Sequence, residues 1–99
     1  NTIGLIPGTT MRYSFTAIAV VESTGACKEW EGKGLIKNVG GTTSMVGQTS
    51  VSTYADAGLT AVTLGVAADN TNDRLVFKGV GLASTAIRWY VKVDYIKMN

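Results

Sequence analysis

The feature that most constrains the fold is a two-residue alternation of apolar and polar side chains. Clusters of Gly, Asn, Asp, Ser and Thr interrupt it about every 8 to 14 residues, which is the spacing of short strands joined by turns. No window has the 3.6-residue period and caps of a helix. The pattern therefore predicts an all-β chain, an antiparallel β-sandwich or jelly-roll-like fold of about seven strands.

The alternation also predicts where the strands lie and which side chains are buried. The predicted strands are residues 11–21, 28–37, 43–47, 48–54, 59–68, 74–81 and 86–98. Residues 48–54 are rich in hydroxyl groups and are expected at a sheet edge. The last strand is expected to turn Ile87, Trp89, Val91, Val93 and Tyr95 inward. The core between the two sheets is expected to contain Trp30, Val62, Leu64, Val66, Leu75, Phe77, Trp89, Val91 and Val93.

Composition fits one folded domain. The chain has 99 residues, of which 45% are hydrophobic and 16% charged, and a single cysteine, so disorder and a disulfide scaffold are both disfavoured. We expect a single β-sandwich domain over residues 11–99 and a connecting arm over residues 1–10. Because the first residue is Asn1 rather than Met, we interpret the chain as a piece of a longer protein.

Charge and hydropathy exclude several classes of partner. Nine basic and seven acidic residues give a net charge of +2 and are spread along the chain, so no patch predicts nucleic-acid binding. No stretch approaches the roughly 20 apolar residues of a transmembrane helix, so no membrane insertion is expected. Nothing in the sequence implies a cofactor.

The absence of histidine argues against most enzyme classes, because histidine is the commonest general acid or base near neutral pH. Glu29 and Glu31 share one strand face at a separation of about 6.6 Å, which resembles a glycosidase pair. Flanking lysines favour an ordinary solvated face instead. Cys27 lacks a basic or histidine neighbour and is expected to be unreactive. We therefore expect no catalytic residue.

The 69–73 segment has the spacing that opens a calcium loop, with oxygen-bearing side chains at Asp69, Thr71 and Asp73. Arg74 stands where the loop requires glycine, and Val80 where it requires a bidentate glutamate. A polar hairpin loop is therefore favoured, and no metal site is expected.

Gly32 and Gly34 leave a bare patch on the strand face that carries Trp30. Such a patch lets either an aromatic ring from the facing sheet, with Trp89 as the candidate, or a partner chain approach the backbone. The first strand is apolar on both faces near its end, at Ile18 and Val20, and only one face can point into the core. The interface candidates are therefore Ile18, Val20, Gly32 and Gly34.

Four segments together resemble a pattern of tailed-phage structural proteins. They are WEGKGLIKN at 30–38, GGTTSMVG at 40–47, ADNTNDRL at 68–75 and IRWYVKV at 87–93, so the resemblance covers about residues 28 to 95. The chain resembles the C-terminal domain of a phage or prophage tail fibre or tailspike. The segment 1–10 has no counterpart in that pattern.

The resemblance implies a non-enzymatic β-sandwich in a virion tail appendage, exposed outside the host cell, that forms a homotrimer and contacts a host receptor. A host cell-surface glycan is one such receptor. Candidates for receptor contact are Asn38, Asn70, Asn72, Tyr54 and Tyr90. Two alternatives stay open: a carbohydrate-binding module attached to a polysaccharide-degrading or other enzyme, and an enzyme that uses the Glu29 and Glu31 pair or a site shared between chains.

Overall fold

The computed structural model describes residues 2–98, which form two antiparallel sheets. The seven strands are β1 (Thr2–Gly4), β2 (Thr10–Val21), β3 (Cys27–Val39), β4 (Thr42–Ala55), β5 (Thr63–Asp69), β6 (Arg74–Val80) and β7 (Ile87–Met98). The large sheet has the order β4-β3-β2-β7, and the small sheet has the order β1-β6-β5. The predicted all-β sandwich is confirmed.

The core lies between the two sheets and follows the predicted alternation. The Phe15 ring of β2 meets the Phe77 ring of β6 at 5.2 Å between centroids, and Tyr13 packs edge-on against the same ring at 6.3 Å. Of the predicted core, five residues are buried: Trp30, Val62, Val66, Leu75 and Phe77. The other four are partly buried against them: Leu64, Trp89, Val91 and Val93. The predicted inward faces are therefore confirmed.

The two sheets differ in size, and this limits the burial of β7. The strands of the small sheet have 3, 7 and 7 residues, whereas those of the large sheet have 12 to 14. The small sheet therefore cannot cover the whole large sheet. Tyr95 lies on the inner side of β7, as expected, opposite the buried Tyr13, but it is 50% exposed because the small sheet does not extend over it.

The predicted third and fourth strands are one strand, β4. The Gly47-Gln48 step contains no turn, because both residues stay paired to β3, with Gly47 opposite Leu35 and Gln48 opposite Gly34. Two register shifts leave Val46 and Thr53 as extra residues, so the long strand bends at bulges instead of breaking. The predicted break is wrong, and β4 forms an edge of the large sheet, as expected for residues 48–54.

Much of the segment expected to be a connecting arm packs as part of the domain. Strand β1 pairs with β6, and Leu5 and Thr9 are buried. The backbone of this segment is also tied to β3, because Gly8 N–H donates to Asn38 O and Asn38 N–H donates to Thr9 O, each at 2.8 Å. Residues 2–9 therefore complete the small sheet and close one end of the sandwich.

The predicted strand at 59–68 begins four residues later, at Thr63. Leu59 and Val62 are buried in a turn that precedes it, closed by a bond from Val62 N–H to Leu59 O at 3.1 Å. The Lys28 ammonium donates to the carbonyl oxygen of Leu59 at 3.2 Å and to that of Val62 at 2.8 Å. Hydrogen bonds from Lys28 of β3 therefore stabilise a turn at residues 59–62, where the alternation alone predicted a strand.

Candidate interaction surface

The outer face of the large sheet, which points away from the small sheet, carries the most prominent group of exposed apolar side chains. Cross-strand pairing sets one row of residues across the four strands. The row runs Tyr54 on β4, Glu29 on β3, Ile18 on β2 and Tyr90 on β7. Alternation of side chains puts all four on the same side of the sheet. Val20 and Val51 lie on this side in neighbouring rows.

We call Ile18, Val20, Val51, Tyr54 and Tyr90 the Ile18 face. Ile18 is 40% exposed, Tyr54 74% and Tyr90 80%. The two tyrosines lie on opposite edge strands, about 14 Å apart at three strand spacings. A central aliphatic side chain flanked by two exposed rings forms this face, and two open pockets lie on it. One has about 480 Å³ and is lined by Ile18, Val20, Arg88, Trp89 and Tyr90, and the other has about 390 Å³ and lies between Ile18 and Tyr54. An exposed apolar surface of this kind is typical of a site of association.

Charged residues of both signs continue the same side of the sheet. A shallow groove beside the Ile18 face is lined by the side chains of Glu31, Lys33 and Asp94 and by the hydroxyl groups of Ser14 and Thr16. Lys92 lies opposite Thr16 in the next strand. The two carboxylates and two ammonium groups balance, so this part of the sheet presents no net field that would select a strongly charged partner.

Aromatic rings of the same sheet fill the bare patch predicted at Gly32 and Gly34. Phe15 lies opposite Gly32, and Tyr13 lies opposite Gly34. A Cβ atom added to Gly34 would lie 2.6 Å from Tyr13 Cζ, and one added to Gly32 would lie 2.7 Å from a Phe15 ring carbon. A partner chain therefore cannot occupy this patch, and neither glycine is an interface residue on that face.

Trp89, the ring expected over those glycines, lies elsewhere. It stacks on Trp30 with 5.6 Å between centroids and an angle of 22° between ring planes. A Cβ added to Gly79 of β6 would lie 2.7 Å from the Trp89 ring. Aromatic rings do pack on Gly32 and Gly34, as predicted, but they are Phe15 and Tyr13 of the neighbouring strand β2 and not Trp89.

Asn38 is not available for receptor contact. Its side chain is fully buried, donates to Leu5 O at 3.0 Å and accepts from Gly41 N–H at 3.0 Å. The turn itself consists of Gly40 and Gly41, both at positive φ, as a two-residue hairpin requires. The predicted strand ended at residue 37, whereas β3 extends to Val39 and Asn38 lies within it, on the buried face.

The 69–73 loop is held by its own hydrogen bonds. Asp69 accepts from the backbone N–H groups of Thr71 and Asn72, from the Asn72 side-chain amide and from Arg74 Nε, at 3.0 to 3.2 Å. These bonds, the Asn72 amide first, lower the pKa of the Asp69 carboxyl. Asn70 Oδ1 accepts from Thr43 N–H at 2.7 Å. Both asparagines are exposed at the loop tip, yet each also helps to shape the loop.

Other candidate groups do not converge on a site. Among residues 2–98, no three metal-ligating side chains lie close enough to hold an ion. Glu29 accepts a hydrogen bond from Thr53 Oγ1 at 3.2 Å, while Glu31 points outward beside the groove. Cys27 is exposed, and partial desolvation and the nearby Asp56 carboxylate raise the pKa of its thiol. A raised thiol pKa lowers the thiolate fraction at neutral pH.

The structure thus brings together four candidates that the sequence analysis assigned to two roles. Ile18 and Val20 were interface candidates, Tyr54 and Tyr90 were receptor candidates, and all four share the Ile18 face. The sequence analysis missed Val51. Val51 lies three residues before Tyr54, and regular alternation would place the two side chains on opposite faces of the strand. The bulge between them shifts the alternation by one residue, so both side chains lie on the same face.

Comparison with protein-family models, with curated proteins and with solved structures found no match. The part of the chain that the structure describes contains no helix long and apolar enough to cross a membrane.

Proposed function

We propose that this chain is a non-enzymatic assembly and host-attachment domain that forms a homotrimer through the Ile18 face. The exposure of that face carries the proposal. Ile18 sits at the middle of a four-stranded sheet, where both neighbouring strands are paired, yet no other part of residues 2–98 covers it. Burial of apolar surface is the main favourable contribution to most protein–protein association.

The wider proposal is that the domain ends a tail fibre or tailspike of a tailed phage or prophage, outside the host cell. The motif resemblance at 30–47, 68–75 and 87–93 supports it. So does the fold, since a small β-sandwich with one open sheet face can gain stability from trimer formation.

Mass measurement on charged variants tests the role of the Ile18 face. The native chain should have three times the chain mass of 10.4 kDa in light scattering at micromolar concentration. Ile18→Asp and Tyr90→Asp should each give the mass of one chain, because a carboxylate would be desolvated in the interface. Ala67→Asp, at an exposed position on the outer side of the small sheet, is the matched control and should stay trimeric.

Circular dichroism must first show that each variant keeps the native strand content. A folded Ile18→Asp or Tyr90→Asp variant that remains a trimer would remove the Ile18 face from the interface. The second site guards against the case in which Ile18→Asp fails to fold.

Host contact, in this proposal, falls to the 69–73 loop, because the tyrosines of the Ile18 face are buried in the trimer. Asn72 is exposed at the loop tip, on a scaffold made rigid by the bonds to Asp69. A fusion of the domain with a fluorescent protein should label susceptible bacterial cells, and Asn72→Ala should weaken labelling at unchanged mass. Equal labelling by both proteins would exclude Asn72 from receptor contact.

A second candidate function is glycan binding on the same outer face, as in a carbohydrate-binding module attached to an enzyme. The observation that favours it is the groove lined by Ser14, Thr16, Glu31 and Asp94, whose oxygens suit sugar hydroxyl groups, next to the exposed Tyr90 ring. A monomeric native chain that binds bacterial surface polysaccharides on a glycan array, with binding lost in Tyr90→Ala, would favour this function over assembly.

A further inference from the structure

The β4 edge of the large sheet has two bulges but lacks the other features that protect an exposed edge strand. Its 14 residues, TTSMVGQTSVSTYA, include no charged residue and no proline. From Val46 to the end of the strand every residue is exposed, on both faces. Edges are protected by charges, proline, bulges or short length, because unpaired N–H and C=O groups otherwise pair with another chain.

The opposite edge, β7, is nearly as long but charged. Its 12 residues include Arg88, Lys92, Asp94 and Lys97, three cations and one anion. Pairing β7 with the uncharged β4 places no like charge opposite another in any register, whereas two copies of β7 avoid like charges only in particular registers. The two edges of the sheet are therefore compatible with each other.

The regular part of β4 lies between its two bulges. Over residues 47–52 each residue has one partner in β3, from Gly47 opposite Leu35 to Ser52 opposite Trp30. In this run successive N–H groups alternate between β3 and the open edge. The open edge is thus a regular six-residue ladder that an extended strand can join.

We propose that the β4 edge of one chain pairs with the β7 edge of the next, which joins three large sheets into a closed ring. The inference rests on the proposed homotrimer and specifies its contacts. A threefold ring needs two different surfaces on every chain. The β4 and β7 edges supply them, and closure leaves neither edge of any large sheet open. The same arrangement turns the three Ile18 faces toward the axis.

Hydrogen exchange tests the edge pairing directly, without knowledge of the register. The native trimer is compared with the monomeric Ile18→Asp variant or, if that variant is not a folded monomer, with native chain diluted until its mass is 10.4 kDa. Within residues 47–55 and 87–98, the amides that point to the open edges should exchange at least about tenfold more slowly in the trimer. Amides of β5, whose partner β6 lies in the same chain, should be unchanged and serve as the control.

Proline substitution gives a second test. Of Thr49 and Ser50, one N–H donates to β3 and the other points to the open edge, so one of Thr49→Pro and Ser50→Pro should fold and fail to form trimers. The edge pairing would be overturned if the amides of residues 47–55 that point to the open edge stay unprotected in a native trimer. It would also be overturned if Thr49→Pro and Ser50→Pro both fold and stay trimeric. Either result would leave the assembly function intact. A native chain that is monomeric at micromolar concentration would instead refute the proposed function itself.

Discussion

At the scale of single residues, two glycines of β3, Gly32 and Gly34, let aromatic rings pack against the backbone. Tyr13 is almost completely buried, and its ring lies over Gly34. We expect Gly34→Ala to destabilise the domain by about 1 to 3 kcal/mol, since an added methyl group must displace a packed ring. Urea unfolding followed by tryptophan fluorescence measures the change.

Gly47→Ala is the matched control for Gly34→Ala. Gly47 also lies in a paired strand and has no atom within 4 Å of an added Cβ. Its substitution should leave the free energy of unfolding within about 0.5 kcal/mol of the native value. Equal effects at the two glycines would contradict the assignment of the cost to the Tyr13 ring.

Asp69 gives a pH dependence with a definite sign. Its pKa is lowered below the ordinary 3.8 by hydrogen bonds, chiefly from Asn72. The stabilisation of the loop is therefore present above the ordinary pKa and lost as the pH falls through the lowered one. The amide chemical shifts of Thr71 and Asn72 should titrate with a midpoint below 3.8. A midpoint at or above that value would contradict the described hydrogen bonds, and Asp69→Asn should abolish the transition.

At the scale of elements, Asn38 joins the β3–β4 hairpin to the segment that follows β1. We expect Asn38→Ala to cost about 1 to 3 kcal/mol, because the buried Leu5 carbonyl and the Gly41 N–H lose their partner. Val39→Ala, at the next and 63% exposed position, should cost little. Thermal unfolding compares the two variants, and similar melting temperatures would refute the structural role of Asn38.

The strands that alternate regularly were predictable, and the parts that depend on distant contacts were not. In β2, β5, β6 and most of β7, alternation shows which side chains face the core, because a shift of one residue would turn the apolar side chains to solvent. The burial of Asn38 depends on Leu5, 33 residues away. The turn before β5 depends on Lys28, about as far away. Alternation contains no signal for either contact.

The candidate surface was predicted only in part for the same reason. Ile18 and Val20 stood out because their strand is apolar on both faces. Their neighbours Tyr54 and Tyr90 come from β4 and β7, and only the strand order β4-β3-β2-β7 brings them into one row. The sequence pattern does not give the order of strands in a sheet. The aliphatic residues were therefore assigned to the interface and the tyrosines to receptor contact, although all of them lie on one surface.

At the scale of the whole molecule, the domain is a two-layered sandwich whose large sheet has an open outer face and two open edges. The small sheet covers the inner side of the large one, and residues 2–98 supply nothing to cover its outer side. The proposed trimer covers that side and pairs both edges. It therefore accounts for the Ile18 face and for the unprotected β4 edge with one arrangement.

The mass of the native chain in solution is the most direct test of this account. Light scattering coupled to size-exclusion chromatography, across a concentration series in the micromolar range, should give three times 10.4 kDa. Reducing conditions serve as the control, because the exposed Cys27 could otherwise cross-link chains. A mass of 10.4 kDa that persists at the highest concentration would contradict assembly through the Ile18 face.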